Sequence, residues 1–360
     1  MSIKSWVAKY WAKRRAQAIR RVHRDAKGSQ HQTLKNLLKK AGQTQFGQDH
    51  AFAEISTPQE FRAKVPVRDY ETAKNYFDAI REGKADIAWP GKPLYLAKTS
   101  GTVSGAKYIP ITKDSIRYQI KGARDVIFMY MVGTGRSDFI DGNMMFLSGS
   151  PVVETNAFGM KVGRLSGIVN HFVPNYLRRN QVPGYATNCI EEWEEKVEKV
   201  LDETLDRDLR LISGIPPWVQ MYFERLQART GQSPLECWPN LSVFFQGGVD
   251  FSPYEAVFRN YFQDKVDILE VFPASEGFFA FQDMLPSQGL LLNLDYGIYY
   301  EFIPIAEYGQ ENATRLGIED IELEKQYALV VSTNAGLWAY DIGDTIKFVS
   351  KNPHRLKVTG

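Results

Sequence analysis

Residues Thr99 to Lys107 read Thr-Ser-Gly-Thr-Val-Ser-Gly-Ala-Lys, and their reading decides how the rest of the chain is understood. Two glycines, four hydroxyl side chains and a lysine share this short stretch. The apolar run Leu94-Tyr95-Leu96-Ala97 leads in, and Tyr108-Ile109-Pro110-Ile111 leads out. That pattern predicts strand, flexible polar loop, strand. Glycine lets backbone N–H groups approach a phosphate, hydroxyls donate further hydrogen bonds, and Lys107 adds positive charge. The alternative is an ordinary surface hairpin, and the stretch alone does not choose between the two. It is not a P-loop: Gly101 and Gly105 are too close, Ala106 precedes Lys107, and no helix pattern follows. The dinucleotide pattern Gly-x-Gly-x-x-Gly is also absent.

Outward from this loop, short apolar runs alternate with helical patterns. Met144–Leu147 and Leu209–Ile212 read as buried strands. Residues 190–206 keep helical spacing, and Pro216-Pro217 opens a helix over 218–229. Helices are expected over 70–82 and 113–131, and strands at 241–245, 267–271, 290–294, 299–303 and 327–332. Together these indicate an α/β fold with mainly parallel sheets and later antiparallel additions. At 360 residues the chain can bury a large core, with 44% apolar and 24% charged residues. Cys189 and Cys237 form neither a disulfide framework nor a zinc pattern, so a reducing cytoplasm is expected. No apolar run reaches the length of a membrane helix, and no export signal is read at the N-terminus.

Charge is unevenly placed. Residues 1–40 carry 12 Lys/Arg against one acid, Asp25. Ile3, Trp6, Val7, Tyr10 and Trp11 form an apolar stripe on this helical segment, with Arg14, Arg15, Arg20, Arg21 and Arg24 beyond it. The expectation is that the aromatic stripe docks on the body while the bases stay in water. A membrane-surface helix is the competing reading. No nucleic-acid-binding motif supports a third.

Three more segments carry chemistry. Phe244-Phe245-Gln246-Gly247-Gly248 ends an apolar strand in a glycine pair that permits flat ligand packing. Ile268 to Gly277 runs a buried strand into a turn with Ser275 and Glu276, where a carboxylate beside a hydroxyl suits Mg²⁺ on a polyphosphate. A helix start capped by Ser275 is the plainer alternative. Asp344 follows Gly343 after Tyr340-Asp341-Ile342, where it can accept the two hydroxyls of a ribose or simply cap a turn.

The set and its order resemble the acyl-adenylate-forming superfamily and, within it, the GH3 auxin-responsive promoter family, particularly its bacterial members. The segments that carry the resemblance are Phe46-Gly47, Val65-Pro66-Val67, Trp89-Pro90-Gly91, Ala97 to Gly105, Gly214-Ile215-Pro216-Pro217-Trp218, Gly247-Gly248-Val249, Ala274 to Phe279 and Gly343-Asp344-Thr345. The resemblance implies a large N-terminal domain of two β-sheets sandwiched by helices plus a small barrel-like sheet. It implies ATP- and Mg²⁺-dependent activation of a small carboxylic acid to an acyl-adenylate, with release of pyrophosphate. An amine, usually an amino acid, then accepts the acyl group.

Carried over by position, Ser100, Gly101, Thr102, Gly105 and Lys107 would cradle phosphates. Gly247 and Gly248 would border the adenine, with Phe272 against its ring. Ser275 would touch the α-phosphate, Glu276 would hold Mg²⁺ and Asp344 would bind ribose. His171, Phe245 and Phe278 would line the acyl pocket. The implied division is a basic helical segment over 1–60 packed on the core, an adenylation core over 61–349, and a hinge starting at 350–360 toward a C-terminal domain. Val103, Ala339 and Asp341 depart from the family pattern: a hydroxyl residue is usual at the first and arginines are common at the other two. These departures motivate a second reading, a non-catalytic member that binds nucleotide or acyl acid.

Overall fold

The computed structural model describes residues 3–102, 105–173 and 178–360. Its inner strands are short apolar runs covered on both faces, the signature of parallel strands between helical layers. They are β3 (Asn143–Phe146), β6 (Gln181–Val182), β7 (Leu209–Ser213), β8 (Val243–Gly247) and β9 (Asp267–Pro273). They lie side by side in the order β6-β3-β7-β8-β9, all parallel.

Alternate side chains of this block enter two different cores. Ile212 and Phe244 pack with Val200, Tyr222 and Phe258 from the helices Trp193–Thr204, Pro216–Thr230 and Glu255–Phe262. Leu211, Val243 and Phe245 pack with Val126, Met129 and Tyr130 from the helix Lys113–Thr134. Pro216 starts its helix where a missing N–H costs nothing, and Gly231, left-handed at φ 70°, ends it.

The sheet continues antiparallel through β10 (Phe278–Gln282), β11 (Leu290–Leu292), β15 (His354–Val358), β14 (Tyr340–Lys351), β13 (Gln326–Thr333) and β12 (Ile298–Pro304). Among the described residues this makes eleven strands, with antiparallel pairings in the majority, where mainly parallel sheets were expected. The short links β9–β10, β10–β11, β13–β14 and β14–β15 permit only antiparallel neighbours. Residues 350–360, expected as the start of a hinge, complete β14 and form β15. Leu356 is fully buried there, and β15 pairs with both β14 and β11.

A second, smaller sheet holds β1 (Tyr95–Thr102) and β2 (Gly105–Ile111), with β5 (Lys161–Gly163) and β4 (Glu154–Thr155) beyond β1. Much of the expected polar loop is therefore ladder: Thr99 pairs with Lys107 and Thr102 with Gly105. Thr and Ser accept extended backbone readily, and Gly105, at φ 112°, takes the turn conformation.

The N-terminal helices α1 (Ile3–Arg24) and α2 (Ala26–Ala41) pack on the body, but not as expected. The buried face of α1 is Ser5, Ala12, Ala16, Ile19 and His23. Trp6, Val7, Tyr10 and Trp11 are 63%, 41%, 47% and 55% exposed. Small residues let α1 approach the helix Lys113–Thr134 closely, leaving no room for indole rings between them. Arg15 fixes the register. Its guanidinium donates to the fully buried Asp125 at 2.6 Å and to Asp295 at 2.9 Å. Lys121 also reaches Asp295, at 2.8 Å, and the Tyr296 hydroxyl donates to Asp125 at 2.8 Å.

Candidate functional site

The carboxyl ends of β7, β8 and β9 form one rim, where ligands of open α/β sheets collect. Gly247 and Gly248 stand at the end of β8. A Cβ on Gly247 would lie 2.1 Å from the Val271 carbonyl oxygen, so the neighbouring strand alone demands glycine there. Gly248 adopts φ 88°, a conformation that favours glycine. Phe272 lies on the adjacent strand, its ring 5.2 Å from Phe279.

After β9 the chain reverses at once. Ala274 N–H donates to Gly277 O at 2.8 Å and Gly277 N–H to Ala274 O at 3.2 Å, which sets Ser275 and Glu276 at the tip of the β9–β10 hairpin. The turn is thus not a helix start. The Gln119 amide anchors it from the helix Lys113–Thr134, donating to Ala274 O at 2.8 Å.

Asp344 sits in an irregularity of β14. Thr345 faces Ala328 and Asp341 faces Val330, so three residues, 342–344, stand opposite Leu329 alone. Gly343, at φ 91°, makes the bulge, and its N–H donates to Asp341 Oδ1 at 2.9 Å. Such bulges re-aim side chains.

Electrostatics shows that these distant segments converge. Glu276 is held above its usual carboxylate range, first by burial; Asp344 adds to the rise and Lys107 opposes it. Asp344 is raised by burial, lowered by Lys107 and raised again by Asp341. Lys107 also acts on Asp69, whose carboxylate is held low chiefly by the Thr72 hydroxyl. The phenol of Tyr340 is pushed up by burial and then by Glu276. That phenol is 1% exposed, and its oxygen has no hydrogen-bond partner among the described residues. The cluster therefore contains Lys107, Glu276, Asp344, Asp69 and a buried hydroxyl awaiting a partner.

Nothing local in the sequence marks Asp69. Its segment reads only as a turn, and what brings it in is the pairing of its neighbour Arg68 with Ala339 and Asp341 through backbone hydrogen bonds of 3.0 and 2.8 Å. Two departures from the family pattern, Ala339 and Asp341, lie on this paired stretch. Ala339 is fully buried at φ 44°, with no space for an arginine. The Asp341 carboxylate accepts from the Tyr308 hydroxyl at 2.6 Å.

Of the residues expected to line an acyl pocket, Phe245 and Phe278 are buried and His171 is at the surface. Phe245 is a core side chain, its ring 6.2 Å from Tyr130. Phe278 is also buried, against Gly122 of the helix Lys113–Thr134. His171 caps the short helix Leu165–Asn170, is exposed, and its Nε2 lies 2.9 Å from Pro151 O. Among the described residues, no contact links His171 to the Glu276 cluster. The backbone of Ser100, Gly101 and Thr102 continues β1, while Val103 lies outside the described residues.

The comparisons with known proteins agree with this architecture. The GH3 family N-terminal domain matches residues 15–174, and the GH3 family central domain matches residues 291–360. A jasmonoyl–L-amino acid synthetase of Oryza sativa subsp. japonica (GH3.5) is 21% identical, over 90% of this chain and 68% of its own length. The jasmonoyl–L-amino acid synthetase JAR4 of Nicotiana attenuata is 21% identical, over 90% of this chain and 67% of its own. The solved AtGH3.15 acyl acid amido synthetase in complex with 2,4-DB superimposes with a TM-score of 0.79 at 16% identity, covering 97% of this chain and 70% of that one. A 2-hydroxyisobutyryl-CoA ligase, solved with 2-HIB-AMP and CoA, superimposes with a TM-score of 0.59 at 11% identity, over 91% of this chain and 71% of that one. At those identities the structural likenesses speak for the fold. With two domain models of one family covering most of its length, and the same architecture in a solved member, this chain belongs to the GH3 family.

Proposed function

We propose that this chain carries the adenylating part of an acyl acid amido synthetase. It activates a small carboxylic acid with ATP to an acyl-adenylate and pyrophosphate, for transfer to an amine such as an amino acid. The supporting observation is the convergence of Lys107, Glu276 and Asp344, from three distant segments, beside the unpartnered Tyr340 hydroxyl. The names of the related synthetases support the reaction class.

Mechanistically, the acid needs no general base, because it is ionised at neutral pH. One carboxylate oxygen attacks the α-phosphorus, the bond to the bridging oxygen breaks, and pyrophosphate leaves with the electron pair. The barrier lies in bringing two anions together and in line. Lys107 and the hydroxyls of Ser275 and Tyr340 offset that charge at the phosphates. Gly247, Gly248 and Phe272 receive the adenine, and the Asp344 carboxylate accepts the ribose hydroxyls.

The donor set fits Mg²⁺. Glu276 and Asp344 are acids raised by burial, which a cation relieves. Among the described residues, no group of three or more potential ligands forms a complete cage. That suits an ion held by one carboxylate, here Glu276, and otherwise by phosphate oxygens. When bound, Mg²⁺ supplies charge neutralisation of the triphosphate.

The second reading, a binding member without catalysis, draws on the absence of arginine around the Gly343-Asp344 pair, where Ala339 is enclosed and Asp341 is held by Tyr308. Pyrophosphate–ATP exchange over a panel of aromatic and aliphatic acids decides between the two. Exchange with at least one acid is expected. ATP binding by calorimetry with no exchange for any acid would transfer the conclusion to the second reading.

A further inference from the structure

The outward face of α1 is divided along its length. Its first half exposes Trp6, Val7, Tyr10 and Trp11; its second half exposes Lys13, Arg14, Arg20, Arg21 and Arg24. Successive residues advance by about 100° around a helix, so the four apolar side chains and Arg14, Arg21 and Arg24 fall on the side opposite Ala12, Ala16 and Ile19, with Lys13 and Arg20 on its flank. There is no acidic residue between Ile3 and Arg24. Among the described residues, none of the five basic side chains is in an ion pair, although Arg14 lies over the Tyr10 ring at 5.0 Å. Arg15, the base needed to hold the helix down, is already committed to Asp125 and Asp295. The fold therefore uses the small-residue face, Lys4 on Ile140 O, Arg15 and His23, and leaves the rings and the other exposed charges for something else.

We propose that this face rests on an anionic lipid bilayer, with the indole and phenol rings at headgroup level and the arginine-rich half over acidic headgroups. Indole and phenol rings favour the membrane–water interface, and each basic side chain near an anionic surface adds to binding. A second copy of the same face is a poor occupant, since it brings equal positive charge. Attachment is peripheral: among the described residues no helix is long and apolar enough to cross a membrane. The inference is independent of the proposed reaction, because the Glu276 cluster contains no residue of α1.

Vesicle co-sedimentation of the full 360-residue chain tests it, comparing phosphatidylcholine alone with phosphatidylcholine containing phosphatidylserine. Binding to the anionic vesicles should exceed binding to neutral ones by about tenfold or more and fall steeply with added salt. The variant Arg14→Gln/Arg20→Gln/Arg21→Gln/Arg24→Gln should lose most of that preference. Trp6→Ala/Trp11→Ala should weaken binding several-fold and remove a blue shift of tryptophan emission seen on anionic vesicles. Both variants alter exposed positions and should keep the parent melting temperature, so lost binding is not lost folding. Equal sedimentation of parent and both variants, or no preference for anionic vesicles, overturns the proposal. So does concentration-dependent self-association without vesicles that Trp6→Ala/Trp11→Ala abolishes, which would assign the face to a second copy.

Discussion

Two regions of this molecule gather carboxylates and cations into half-buried clusters, and they are built to opposite rules. Under α1, Arg15, Lys121 and Arg124 meet Asp125 and Asp295, so every acid has a cationic partner. Burial would raise Asp295, but hydrogen bonds from Arg15 and the charge of Lys121 outweigh it and hold the acid below its usual range. Around Lys107 the acids Glu276, Asp344 and Asp69 outnumber the base, and burial holds Glu276 and Asp344 above their usual range. The first cluster is complete within the chain. The second becomes comfortable only when a cation or a protonated form is supplied, the state expected of a site that takes a metal–triphosphate.

Removing one partner from the completed cluster should have the largest effect. Arg15→Met leaves the buried Asp125 with only the half-exposed Arg124 and the Tyr296 hydroxyl, and should lower stability by about 3 kcal/mol, read from urea unfolding. An unchanged midpoint would erase the contrast. In the incomplete cluster the same kind of change should do the reverse. Glu276→Gln should cut pyrophosphate–ATP exchange by about a hundredfold or more while leaving the melting temperature unchanged or higher. Retained exchange would remove the metal assignment.

The pH dependence separates the regions further. At the far end of α1, buried His23 and His354 stack at 6.2 Å, and each is lowered to about 4. For His23 the causes are burial, then the charges of His354 and Arg355; for His354 they are burial, then Lys351. Unfolded rings take up protons near pH 6.5, folded rings only near 4, so this contribution is full above 6.5 and fades as pH falls toward 4. It amounts to about 3 kcal/mol per ring. Glu276 and Asp344 have the opposite sign: their folded values are raised, so their contribution is present at low pH and lost as pH rises through those values. Unfolding free energy measured from pH 4 to 8, with and without Mg²⁺-ATP, should show the histidine loss on the acid side in both series. Stabilisation by ligand should grow with pH. The smallest change is Tyr340→Phe, which removes an unpartnered buried hydroxyl and should raise stability by about 1 kcal/mol while weakening exchange. A stability loss would mean the hydroxyl already has a partner.

Much of this was legible in the residues. The apolar runs at 209–212, 241–245 and 267–271 declare strands, which the structure sets at Leu209–Ser213, Val243–Gly247 and Asp267–Pro273, and Pro216-Pro217 declares a helix start. The order of hydroxyl–glycine loop, glycine pair, Ser275-Glu276 and Gly343-Asp344 suggested the family. Other features were hidden for identifiable reasons. Phe278, Phe279 and Phe281 belong to a core strand, but a pocket wall has the same composition. β14 contains Asp341, Gly343 and Asp344, which local preference assigns to a turn; its pairing with β13 and β15 overrides that preference. On α1, hydrophobic periodicity identified the rings as the buried stripe. Burial there follows close approach to a neighbouring helix, which favours alanine over tryptophan. The entry of Asp69 into the Lys107 cluster depends on long-range pairing of Arg68 with β14, and nothing local announces it.

The position of β15 has a consequence for biogenesis. This late strand is wedged between β11 and β14, so it joins β12, β13 and β14 to the remainder of the sheet. Until residues 354–358 leave the ribosome, the Leu290-Leu291-Leu292 strand and β14 each show an open edge, inviting mispairing with another nascent polypeptide. Translation speed and chaperone capture over this interval should therefore govern the yield of native molecules.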